Sequence, residues 1–405
     1  MLLSLVLCSN RTGASILFFP TYDGPMERFD AIVVGAGPAG STAAFRLSRA
    51  GARVLLLDRE RFPRDKPCGG GLTYRAVRQL PVPIDPVVED TVHRFRLGFR
   101  YGRHFERASE GPLVLMTQRR RLDAHLAEQA AAAGADFRDG VRATALEVGE
   151  NSVAVRFGDS GATAPVAIGA DGVNGLTVRS LALQGRRAHG VALEGNVDHV
   201  HAREDYRGRA VVELGTVPGG YAWVFPKADH VNVGVGGWES EGPRLREHLE
   251  RACAAYGLPA SRLASVRGYR LPMRRPGDRA RSGRVLLVGD AAGLVDPLSG
   301  DGMYEAFVSS RLASEAVLSG DLDGYEPALD RALGRSFAAS WKAKHALERA
   351  PHLIFGVAQL PPVWGFVAAF LRGDLAHPGD AKGLVRAPLR LVDVLGRQRD
   401  HVAAR

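Results

Sequence analysis

The stretch Gly35-Ala36-Gly37-Pro38-Ala39-Gly40 follows a short apolar run and opens a helical pattern, and Asp58 closes the next apolar run. Each glycine has its own physical task. Gly35 permits a tight turn, Gly37 lets a pyrophosphate approach the backbone, and Gly40 allows helix and strand to pack closely, while the helix N-terminus stabilises phosphate charge. Asp58, with Arg59 beside it, stands where a carboxylate binds adenosine ribose hydroxyls. Gly35, Gly37, Ala39 and Gly40 are therefore expected to cradle a dinucleotide.

Two further glycine-acid pairs, Gly169-Ala170-Asp171-Gly172 and Gly289-Asp290, each follow an apolar run. Both place a carboxylate just past the carboxyl end of a strand, where open α/β sheets bind ligands. If the dinucleotide is a flavin, Asp290 accepts from its ribityl hydroxyls. Gly300 and Gly302 then lead into a helix from Met303 whose partial charge of about +0.5 stabilises the anion formed on reduction. Elsewhere, Gly69–Gly71 suits a loop that must lie against a ring face without side-chain obstruction. Tyr221, Trp223 and Phe225 alternate, so on a strand they share one face.

The order GxGxxG, GADG, GDAAG resembles FAD proteins of the p-hydroxybenzoate hydroxylase-like fold. Lys66-Pro67-Cys68-Gly69-Gly70-Gly71-Leu72 and Tyr221-Ala222-Trp223-Val224-Phe225-Pro226-Lys227 resemble the geranylgeranyl reductase family, whose members reduce isoprenoid double bonds using reduced FAD. The resemblance runs from Asp30 to Ala350. It implies FAD as cofactor, with Cys68 and Gly70 beside the flavin ring. It also implies that Arg119, in Arg119-Arg120-Arg121-Leu122-Asp123, contacts the ribityl or phosphate region. Cys68, Tyr221, Trp223 and Phe225 are then the catalytic surroundings, the three aromatic rings forming a channel for a branched alkene chain. Gly175 departs from the family, which often has Ser there.

Saturating an isolated alkene needs a hydride and a proton at the neighbouring carbon. Positive charge building on a tertiary carbon would be stabilised by aromatic faces, and Tyr221 or an ordered water is a candidate proton donor. Lys227 either holds an anionic head group or is simply solvated. Only one GxGxxG lies between strand and helix, so electrons are expected from transiently bound NAD(P)H or from a ferredoxin-like protein.

The elements that position these residues follow from hydrophobic period. Ala31–Val34, a helix over Pro38–Ala50 and Arg53–Leu57 form a βαβ unit. Leu122–Ala133 reads as a helix, Val153–Phe157, Val166–Ile168 and Val285–Val288 as strands, and Val191–Gly237 as antiparallel sheet. The expected fold class is α/β: a Rossmann-like FAD-binding domain (26–90, 115–180 and 275–325) with an inserted antiparallel-sheet substrate domain (91–114 and 181–274). A helical region (326–405) follows. Residues 1–25 read as an untranslated or disordered leader, with Met26 as the working start. Pro361 and Pro362 interrupt the apolar stretch Leu353–Leu371, so it reads as two packed helices rather than a membrane span.

Hydrophobic residues at 45% and charged residues at 24% of 405 exclude disorder and a membrane bundle. The net charge of +9 is carried by Arg without aromatic-interleaved basic patches, so nucleic acid is not the expected partner. The charge and the greasy Leu353–Leu371 region fit a prenyl-lipid substrate drawn from an anionic membrane surface. The expected location is cytoplasmic, peripheral on the inner face of the membrane. Three scattered cysteines supply neither a zinc site nor an iron–sulfur centre, so no metal is expected. Two other activities fit the same fold: a flavin monooxygenase or halogenase, and a cluster-free electron-transfer flavoprotein feeding quinone. The Trp-x-Trp-x-Ile-Pro halogenase pattern does not occur.

Overall fold

The computed structural model describes residues 26–181, 183 and 188–397. The leader expected over residues 1–25 lies outside them. Ala31–Val34 and Val54–Leu57 are apolar at every position and buried at every position, as strands covered on both faces must be. They sit at the centre of a six-stranded sheet in the order Arg281–Ser282, Val285–Leu287, Ala167–Gly169, Ala31–Val34, Val54–Leu57, Asp136–Arg138. All neighbours are parallel except the Arg281–Ser282 hairpin edge. The chain leaves the central strand Ala31–Val34 to one side and later adds Ala167–Gly169 on the other. That reversal of strand order creates a crevice at the strands' carboxyl ends.

The helix Pro38–Arg49 covers this sheet and is closely packed on the later helix Met303–Ser319 through small residues. Thr42 Oγ1 lies 2.8 Å from Ser310 Oγ, and Ser314 Oγ donates to the Ala43 carbonyl at 3.4 Å. A four-stranded sheet, Met26–Arg28, Ser160–Ala164, Val153–Phe157 and Ala143–Val148, and a three-stranded one, Gly71–Thr73, Val114–Met116 and Asp90–Val92, flank the core.

The second large layer is a seven-stranded sheet ordered Ala264–Met273, Ala188–Asp198, His230–Trp238, Tyr221–Pro226, Arg209–Leu214, Arg94–Phe99, Arg103–Ala108. Its pairs are antiparallel except Arg209–Leu214 with Arg94–Phe99. Period-two alternation sorts its central strands into two faces. Val197, Val231, Val233, Val235, Ala222 and Val224 pack against the helix Leu245–Ala255. Tyr221, Trp223, Phe225, Asn232, Gly234, Gly236, Ala192, Glu194 and Asn196 belong to the other face.

The helix expected from Leu122 begins earlier, at Arg119. The Arg-rich stretch Arg267–Arg284 begins inside an edge strand, Ala264–Met273, that the period did not reveal, because Arg267, Gly268, Arg270 and Pro272 interrupt its apolar residues. From Met303 onward the chain is helical. Pro361 opens a new helix, so Pro351–Ala358 and Pro361–Arg372 meet at 83°. Trp364 Nε1 donates to the Ala108 carbonyl at 3.1 Å, and Phe355 stacks on Phe99 at 5.1 Å, fixing this pair on the edge of the seven-stranded sheet. Among the described residues no single helix is long and apolar enough to cross a membrane.

Candidate active site

A cleft of about 850 Å³ runs from the crevice of the parallel sheet to the open face of the seven-stranded sheet. At its first end the glycines behave as their spacing requires. Gly35 has φ +103°, and a Cβ there would lie 2.4 Å from the Ala170 carbonyl oxygen. A Cβ on Gly40 would lie 1.8 Å from the Gly35 oxygen, whereas Gly37 has open space up to the guanidinium of Arg64 at 3.6 Å. The helix beginning at Pro38 has no side-chain cap. Its first N–H groups therefore remain available to an anion. Asp58 Oδ2 accepts from the Ala36 N–H at 2.8 Å and Oδ1 from the Glu60 N–H at 3.0 Å, which holds the carboxylate at the strand end. Arg59 is largely exposed and pairs with Glu60.

Arg119 lies beside this cradle, and its charge is matched by an ion pair. Its side chain is 5% exposed and that of Asp123 0%, and the guanidinium grips both carboxylate oxygens at 2.7 Å. Burial alone would push the Asp123 carboxyl up; Arg119 and Arg64 outweigh it and hold it below the usual range. Arg64 reaches Asp123 at 2.6 Å and Asp58 at 3.5 Å. It joins the two acids across the turn, a role that its place in a charged segment did not disclose.

Asp171 lines the cleft while its carboxylate engages the start of the next helix. Its carboxylate accepts the Thr177 N–H at 3.0 Å and the Thr177 hydroxyl. A Cβ on Gly175 would lie 2.0 Å from Asp171 Oδ1. The departure from Ser at position 175 is thus the local condition for this arrangement. Asp290 accepts from Lys66 Nζ and from the Tyr269 hydroxyl, both at 2.9 Å. Burial opposes its charge, but Lys66 prevails and lowers its pKa. Gly300 has φ +67°, and Gly302 precedes Met303–Ser319, its Cβ position only 3.2 Å from Asp290 Oδ1.

The segment Asp65–Gly71 links the two walls. Asp65 pairs with Arg267 at 2.8 Å, Lys66 with Asp290, the Cys68 N–H donates to Glu194 Oε1 at 2.7 Å, and the Gly69 carbonyl accepts from Lys227 Nζ at 2.7 Å. Gly70 has φ +66° and passes so close to the Thr117 carbonyl that a Cβ would lie 2.0 Å from its oxygen. Lys227 is neither solvated nor free for a head group: it is 2% exposed, and burial pushes its ammonium down to about 8. In place of the solvated or head-group-binding lysine expected from sequence, it is a buried support for the glycine loop. Burial also raises the Cys68 thiol, so it stays protonated at neutral pH.

Tyr221, Trp223 and Phe225 line the far part of the cleft as a continuous row, with centroids 6.0 and 6.2 Å apart. Trp223 lies over Gly234, its directly paired neighbour, where a Cβ would be 2.1 Å from the indole. Its Nε1 donates to Asn232 Oδ1 at 2.8 Å, and Asn232 in turn donates to Asn196 at 3.0 Å. The Tyr221 hydroxyl donates to the Ser299 carbonyl. Glu194, Tyr269 and Arg267 also line the cleft. They escaped the sequence reading, although the acid in Val191-Ala192-Leu193-Glu194-Gly195 breaks an otherwise apolar strand and was the available signal.

The cradle offers a bare helix N-terminus, open space at Gly37 and the carboxylates of Asp58 and Asp290, a donor set that suits a dinucleotide such as FAD. The FAD binding domain family matches residues 28–307, which defines the chain as a flavoprotein oxidoreductase. Geranylgeranyl diphosphate reductase of Rhodobacter capsulatus is 33% identical over 309 residues, covering 72% of this chain and 75% of that protein. Menaquinone reductase of Mycolicibacterium smegmatis is 31% identical over 391 residues, covering 89% and 95%. The chain belongs to the geranylgeranyl reductase family of FAD-dependent oxidoreductases. A geranylgeranyl bacteriochlorophyll reductase-like structure from Thermoplasma acidophilum superposes with a TM-score of 0.72 over 91% of this chain and 96% of that one, at 24% identity. The halogenase PltM with phloroglucinol and FAD shares the fold at a TM-score of 0.67, covering 90% of this chain and 85% of its own, at 16% identity.

Proposed function

We propose that this protein saturates carbon–carbon double bonds in the polyprenyl chain of a lipid, quinone or pigment precursor. The observation that carries the reading is the row Tyr221, Trp223 and Phe225 opening into the same cleft as the nucleotide cradle and the Cys68–Gly71 loop. The relatives' substrates, as named, carry geranylgeranyl, menaquinone and digeranylgeranylglycerophospholipid groups; their head groups differ, and a long prenyl chain is what they share.

Reduced FAD supplies the hydride. The protein's own residues bind, orient and desolvate: Asp58 and the Gly37 turn hold the nucleotide, Lys227 fixes the loop through Gly69, and the aromatic row gives the alkene a flat, water-poor floor. Cys68 contributes a neutral thiol at the edge of that floor. Electrons come from NAD(P)H or a ferredoxin-like donor. The exposed Leu353 and Leu360 on the bent helix pair support peripheral contact with the inner face of a membrane, from which such a substrate is drawn.

Mixing anaerobically reduced holoenzyme with prenyl lipids tests the reading. Flavin reoxidation with addition of one H2 per reduced bond, seen by mass spectrometry, is the expected result. Oxygen-dependent hydroxylation with rapid NAD(P)H oxidation would instead identify a monooxygenase.

A further inference from the structure

We infer that Glu194 is the proton donor to the alkene, an assignment that rests on the proposed reductase reaction. Three strands set its place. Glu194 pairs directly with Gly234, and Gly234 pairs directly with Trp223, so acid and indole stand in one cross-strand row on the cleft face. Residues directly opposite on neighbouring strands share a face, and the missing side chain of the glycine between them lets the indole lie over that strand toward the acid. The carboxyl side chain lines the cleft, while its Oε1 accepts the Cys68 N–H at 2.7 Å. Among the described residues its other oxygen takes no hydrogen bond from the protein. The Tyr221 hydroxyl, by contrast, is spent on the Ser299 carbonyl.

The charges around Glu194 decide its protonation state. Cys68 and Asp65 face it from the loop, Lys227 from the end of the aromatic strand, Arg119 from its helix, and Arg267 from the paired edge strand. Arg267 is engaged by Asp65 and Arg119 by Asp123, so neither is free to hold Glu194 ionised. Burial dominates and pushes the carboxyl up to about 7. A carboxylic acid with that pKa is half-protonated near neutrality, the range in which general acids work best.

In the step, the Glu194 O–H bond breaks as a C–H bond forms at one alkene carbon. Reduced flavin provides the hydride, and both electrons, to the adjacent carbon. The product gains H2, the flavin ends oxidised, and the Glu194 carboxylate recovers its proton from solvent.

Glu194→Gln tests this, because the amide oxygen still accepts the Cys68 N–H and keeps the loop in place. Single-turnover reduction of a prenyl lipid by the prereduced variant should slow by about 100-fold or more, with flavin binding unchanged and Glu194→Asp partly restoring the rate. The wild-type rate should fall as pH rises through about 7, and this limb should vanish in Glu194→Gln. Independently of turnover, infrared difference titration of the oxidised protein should show a carboxylic C=O band that disappears through the same pH range and is missing in Glu194→Gln. A variant within threefold of wild type, or a wild type without that band, overturns the assignment. If wild type reduces no prenyl lipid, the reductase reading fails and the donor role with it, whereas an active wild type beside an equally active variant removes only Glu194.

Discussion

The two ends of the cleft are both buried, yet they treat charge in opposite ways. At the nucleotide end Arg119 and Asp123 stay ionised because the two buried charges meet each other at hydrogen-bond distance, with Arg64 reaching the same carboxylate. At the aromatic end Glu194 and Cys68 are pushed up and Lys227 down, toward neutrality. Burial acts on both ends. The difference is pairing: matched charges offset desolvation, and groups that meet only backbone amides and carbonyls or distant charges are shifted toward their neutral forms. One end is thereby suited to an anionic cofactor and the other to an uncharged hydrocarbon.

The sharpest way to break the contrast is at the cradle. Gly40→Ala forces a Cβ to within 1.8 Å of the Gly35 oxygen, and flavin affinity should fall by about 100-fold or more, measured by titrating apoprotein with FAD. Next, Arg119→Ala leaves Asp123 buried with only Arg64 as partner, and should cost about 3 kcal/mol in denaturant unfolding. Arg119→Lys should recover part of this, since an ammonium cannot grip both oxygens. At the other end Gly234→Ala drives a Cβ to 2.1 Å from the indole of Trp223. KM for a prenyl lipid should rise about tenfold while flavin affinity stays within twofold.

The smallest effect sharpens the comparison through pH. Lys227 binds its proton less tightly when folded, about 8 against 10.5, so between these values the unfolded chain holds more protons and stability rises with pH. Lys227→Met lacks this contribution. Its melting temperature relative to wild type should therefore drop as pH is raised from 8 toward 10.5.

Much of the cradle was legible before any coordinates. Gly35, Gly37 and Gly40 announce their tasks by spacing, and a buried parallel strand such as Val54–Leu57 has few alternatives. The alternation of Tyr221, Trp223 and Phe225 placed them correctly on one face. Arg64, Lys66 and the partner of Glu194 were not legible in the same way, because their meaning arises from contacts across the fold. The Cys68 N–H and Glu194 meet across 126 positions of sequence, and no local period records that. Lys227 was misread for a related reason: whether a lysine at a strand end is solvated depends on what covers it, here the loop through Gly69 and the side chain of Met116. The edge strand Ala264–Met273 was hidden because Arg267, Gly268, Arg270 and Pro272 are interspersed with its apolar residues.

The row Trp223, Gly234, Glu194 has a consequence for precision. Two strand spacings, together roughly 10 Å, separate the backbones that carry the indole and the acid, and this interval is maintained by the hydrogen-bond ladder. It works as a rigid ruler laid across the floor. A substrate seated on it would have its reacting carbons measured against a fixed gauge.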